Sequence, residues 1–162
     1  MIFIVITGMI YALVLSIYLM AIMKLNPRLL LQDYPEKVKK IVKPKSKSEK
    51  KQSIIVGIPF LLLMFLGPLV INVVNYNLHG TLNFWQIYGL TFLILMIFNI
   101  VDLIVLDLLI FSWITPNFIR IKGADEKELY EGNKMHFKGF GIGSIFALVS
   151  SFAIAGIVTL IV

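Results

Sequence analysis

Cysteine is absent from this 162-residue chain. That excludes disulfides, thiolate nucleophiles and thiolate metal sites, and leaves the redox compartment undetermined. Histidine is nearly as scarce, with His79 and His136 the only imidazoles. Charged residues are few, 15% of the chain against about 25% in average soluble domains. Sequence signatures of familiar chemistries are missing as well: no His-Glu-x-x-His zinc pair, no Gly-x-Ser-x-Gly elbow and no Walker loop. The glycine-rich stretch 139–143 has no strand pattern before it and no Lys-Ser/Thr after it, which argues against nucleotide phosphate. No metal or cofactor is expected.

What the chain does have is apolar residues, 59% of the total, gathered into four blocks at 2–23, 54–74, 85–113 and 140–162. Each reaches the roughly 20 residues that a helix needs to cross a hydrocarbon core. The reading is an all-α integral membrane protein, a four-transmembrane-helix bundle forming one membrane domain over 1–162. The first block lacks a basic leader and a small-residue cleavage pattern, so it is expected to be retained. The last block ends still apolar, which leaves open that neighbours complete it.

All fifteen basic residues lie in two connections. Residues 24–53 carry ten Lys or Arg against three acids, and residues 114–139 carry five against four. The turn 75–84 and both ends carry none, so the positive-inside rule predicts two cytoplasmic loops and both termini outside, in a multi-pass protein of the cell membrane. Tyr76, Trp85, Tyr88 and Trp113 fit aromatic anchoring near the interfaces. Basic residues near an anionic leaflet attract it by about 1 kcal/mol each, so anionic lipid headgroups are the expected partner of the first loop. Nucleic acid is not, because aromatic interleaving is lacking. Within that loop, 43–51 reads as a solvated, mobile segment, and 33–42 as a short helix on the inner leaflet with Asp33 as its N-cap.

Two acids, Asp102 and Asp107, interrupt the third block. A carboxylate at membrane depth costs about 2.5 kcal/mol or more, so such residues usually face a protein interior, a wet cavity or a partner. At about 1.5 Å per residue from Trp85, Asp102 lies roughly 25 Å along the span and Asp107 deeper, both toward the cytoplasm. Five residues apart on an α-helix, they fall on different faces, whereas Asn99 and Asp102 share one. The competing reading is that the acids hold helices together by pairing with Asn72, Ser144, Ser151, Arg28 or Arg120.

Further candidates come from the other spans. Gly139, Gly143, Ala147, Ser151, Ala155 and Thr159 recur every four residues, a small-residue ridge that lets helices approach closely. The third span of the same chain is the expected neighbour, with a second copy or another membrane protein as the alternative. Gly57, Pro59, Gly67 and Pro68 are helix interrupters in the second span, and Asn72 lies toward its outer end. His136 falls close in depth to Asp107 and forms with it a candidate acid/base pair, which Tyr34 and Tyr130 could join.

The leading expectation is a protonatable site of Asn72, Asn99, Asp102 and Asp107 that binds or moves a cation, a proton or a lipid headgroup. The alternatives are a lipid-acting enzyme using Asp107 and His136, and a non-catalytic subunit held to a complex by its small-residue ridge.

Overall fold

The structure is a computed structural model that describes residues 1–80 and 82–162. Helix α1 spans Ile2–Leu25 and stops where Asn26 and Pro27 intervene. The Asn26 side chain accepts the Arg28 N–H and opens a 3-10 segment, Pro27–Asp33, which leads to the short helix α2, Glu36–Ile41. Helix α3 runs over Lys47–His79, and Gly80, at φ +86°, takes a conformation that a side chain disfavours and ends it. Helix α4 spans Phe84–Val101, capped reciprocally by Asn83 and Gln86. It continues as a π-helix over Asp102–Ile114. After an irregular stretch with one 3-10 turn at Lys127–Leu129, helix α5 covers Lys134–Ile161.

Four helices are long and apolar enough to cross a membrane, counting α4 and its π continuation as one, and no strand forms among the described residues. α4 is central and touches α1, α3 and α5. Ile4, Tyr11, Leu15, Ile94 and Phe98 fill the α1/α4 contact, while Ile87, Ile154, Ala155 and Val158 fill α4/α5. Ile55, Leu62, Val70, Val149 and Phe152 point outward and are exposed. An apolar belt of that extent needs lipid rather than water around it.

The prolines of α3 do not break it. Pro68 has no N–H to give the Met64 carbonyl four residues earlier, and the Tyr11 hydroxyl donates there instead, at 3.3 Å. Near Pro59, the Tyr18 hydroxyl donates to Val56 O at 2.8 Å. Tyr11 thus offers a donor where α3 is short of one, and Tyr18 adds a second bond from α1 to α3.

The two long connections fold onto each other at one end of the bundle. Tyr34, Val38, Ile119, Ile121 and Tyr130 are almost fully buried around Phe111. The Tyr34 hydroxyl donates to Ile119 O at 2.8 Å. Tyr130 Oη accepts from Ile121 N and donates to Ala124 O. These loop expectations are corrected in three places. The 43–51 stretch is structured, because Ser46 and Glu49 form a capping box that starts α3 and the Lys45 ammonium donates to Leu29 O, Ser53 Oγ and Gln32. Asp33 is not the cap of α2, which begins after Pro35, and its carboxylate accepts from Gln32 Nε2. Tyr34 and Tyr130 clasp backbone and do not join the acids.

Candidate functional site

Below this loop cap lies a cavity of about 1010 Å³. Its deep wall is apolar, with Phe60, Met64, Leu95 and Phe98, and its loop end is charged, with Asp33, Glu36, Lys37, Lys39, Glu131 and Lys134. Asn99, Asp102, Asp107 and His136 line it between those two zones.

Why both acids reach one cavity follows from the π-helix. A π-helix bonds residue i to i+5, as the Thr115 N–H does to Ile110 O at 2.8 Å, so residues five apart stack one turn above another. Asp102, Asp107 and Ser112 are spaced by five. The expectation that the two acids fall on different faces assumed α geometry and is corrected by this wider coil. Thr115, in the left-handed region at φ 47°, closes the π-helix, its hydroxyl donating to Phe111 O before Pro116 turns the chain.

His136, on the first turn of α5, is 3% exposed. Its Nδ1 is 3.0 Å from Asp107 Oδ1 and its Nε2 3.1 Å from Ser112 Oγ. The edge of the Phe111 ring packs against the imidazole. Asp102 makes no hydrogen bond or ion pair among the described residues, and neither Arg28 nor Arg120 reaches the acids. Arg28 pairs with Glu49, and Arg120 Nε donates to Thr115 O.

Asn99 lines the cavity but is committed to α5: Nδ2 donates to Ser144 Oγ at 3.0 Å and Phe140 O at 3.1 Å. Asn72 is elsewhere, fully buried between α3 and α4, with Nδ2 on Thr91 Oγ1 and Pro68 O. The small-residue ridge divides along its length. Ala147, Ser151 and Ala155 are buried, Gly143 lies against the Asn99 amide, and Gly139 lines the cavity with no heavy atom within 4 Å of where a Cβ would stand.

Outside the membrane-spanning helices, desolvation raises the Asp33 carboxyl above its ordinary range, and the Asp107 charge adds to this against Gln32 and Lys45. Among the described residues no three or more His, Asp or Glu side chains gather as metal ligands.

Ser112 was missed from sequence because a lone serine near a span end reads as helix packing. The five-residue rhythm from Asp102 through Asp107 was the available signal. Comparison of the chain with protein-family models, with curated proteins and with solved structures finds no match.

Proposed function

We propose that this is a multi-pass protein of the cell membrane that binds an amphiphile in the loop-end cavity, a lipid headgroup meeting Asp102 and Asp107 while its chain lies along Phe60, Met64 and Leu95. The carrying observation is one recess joining an apolar wall to a carboxylate, Asp102, that no group among the described residues pairs. The unpaired Asp102 suits an amine, so an amine-bearing phospholipid headgroup is the best fit, and Lys37, Lys39 and Lys134 at the mouth suit the phosphates of lipids beside it. In this reading both loops are cytoplasmic and both termini outside, following the basic residues. The first loop's lysines add attraction to anionic neighbours.

Lipid retention on the purified protein, read by native mass spectrometry with phosphatidylethanolamine and phosphatidylglycerol, tests the proposal. Asp102→Asn should lower phosphatidylethanolamine occupancy about tenfold, the scale of one charge-assisted hydrogen bond. Gly139→Leu, which puts bulk into the recess, should lower occupancy by both lipids. Unchanged occupancy in both variants rejects the reading.

The Asp107–His136 contact favours a second reading, in which this pair acts as acid and base on a lipid at the interface. His136→Ala should then stop turnover.

A further inference from the structure

We infer that Ser112 is a nucleophile activated by His136 and Asp107, and that the protein hydrolyses a carboxylic ester carried by an amphiphile at the membrane interface. The inference rests on the second reading above for the His136 base, and adds to it the attacking atom and the bond that breaks.

The geometry is that of an activated serine. Ser112 Oγ contacts His136 Nε2 at 3.1 Å, and the opposite ring nitrogen contacts Asp107 Oδ1 at 3.0 Å. A carboxylate on Nδ1 leaves Nε2 free to take the hydroxyl proton, and holds the imidazole in that tautomer and orientation. Ser112 Oγ makes no other hydrogen bond among the described residues. A serine serving only to pack a helix commonly donates to the carbonyl four residues back, as Ser144 and Ser151 do here; Ser112 instead faces the ring.

Ser112 also has a recess of its own. A pocket of about 280 Å³, lined by Leu108, Ser112, Trp113, Glu131, Gly132 and Asn133, shares Glu131 and Gly132 with the large cavity, which His136 lines. Asn133 precedes α5, which has no side-chain cap, and the N–H groups of Lys134, Met135 and His136 have no acceptor among the described residues. Uncapped N–H groups at a helix start stabilise anionic oxygen, so this turn is the element that would receive the charge developing on an acyl carbonyl. Trp113 is 72% exposed beside the pocket, and an aromatic of that kind sits at the lipid headgroup level. An ester bond of an interfacial amphiphile lies at the same level.

In the step proposed, Ser112 Oγ attacks the acyl carbon as its proton passes to His136 Nε2. The C–O bond to the alcohol breaks, and the alcohol leaves with that proton. Water then attacks the acyl-serine, His136 again takes the proton and returns it to Ser112, and the carboxylic acid departs. Ester and water become acid and alcohol, and no other reactant is needed.

The test uses the full chain in lipid nanodiscs with a fluorophosphonate probe and, separately, p-nitrophenyl butyrate. The wild type should be labelled on the peptide carrying Ser112 and should release p-nitrophenol. Ser112→Ala should abolish both. Asp107→Asn should slow them by about a hundredfold or more, the scale of a disoriented general base. Retained phosphatidylethanolamine binding and an unchanged melting temperature in Ser112→Ala would show that the fold and the binding cavity survive. If ester turnover persists in Ser112→Ala but stops in His136→Ala, the acid/base pair stands and the serine nucleophile is overturned. If the folded wild type is neither labelled nor active, both are overturned.

Discussion

The amide of Asn99 fills the space that a side chain at Gly143 would occupy, while donating to Ser144 and Phe140 one residue and three residues to either side. This contact sets how closely α4 and α5 approach beside the cavity. Gly143→Ala forces the amide off both acceptors, and overpacking of this kind costs about 1–3 kcal/mol. Gly139→Ala, one turn away and facing open space, should stay within about 0.5 kcal/mol of wild type. Thermal unfolding of both variants in one detergent makes the comparison, and equal losses would contradict the contact.

Tyr130 satisfies two buried backbone groups with one hydroxyl, the Ile121 N–H and the Ala124 carbonyl. Tyr130→Phe strands both, a loss of about 1–3 kcal/mol. Tyr34→Phe strands only the Ile119 carbonyl, one group instead of two, and should cost less. Limited proteolysis within 114–133 should quicken in Tyr130→Phe before it does in Tyr34→Phe.

Arg28 joins the 3-10 segment to the first turn of α3 through both oxygens of Glu49 and also reaches the Lys43 and Pro44 carbonyls. Glu49 accepts from Ser46 N as well. Glu49→Gln keeps the backbone bond and weakens the ion pair, a loss of about 1 kcal/mol or less for a partly exposed pair. Glu49→Ala removes both and should cost about twice as much. A melting series of the two variants separates capping from pairing.

Asp33 supplies a pH dependence of known sign. Its carboxyl is raised in the folded chain, chiefly by desolvation, so the native state holds that proton more tightly than the unfolded one. Stability from this group is full below the ordinary carboxylate value and declines as pH rises from about 4 through the raised value. Asp33→Asn should flatten that decline in a melting-temperature profile against pH. A profile with unchanged slope would show that desolvation at this position is weaker than its surroundings imply.

The four spans were legible because lipid leaves a chain few solutions, and blocks such as 54–74 advertise theirs by length alone. Their ends were less so: α3 begins at Lys47, inside the lysine run, because one capping box outweighs the surrounding charge. Proximity of His136 to Asp107 followed from matching depth along two spans. The stacking of Asp102, Asp107 and Ser112 did not, since composition alone does not separate a π-helix from an α-helix in Leu- and Ile-rich sequence. Asn72 and Asn99 are alike in residue type, yet α3 holds Asn72 against Thr91, where no one-dimensional pattern points.

The wide coil over Asp102–Ile114 also changes what this segment tolerates. Exchanging leucine for isoleucine between its polar positions leaves their alignment alone, but deleting one residue between Asp107 and Ser112 would swing the hydroxyl away from the imidazole without altering any chemical group. In this stretch counting matters more than lettering, and its descendants should preserve gaps where they freely trade side chains.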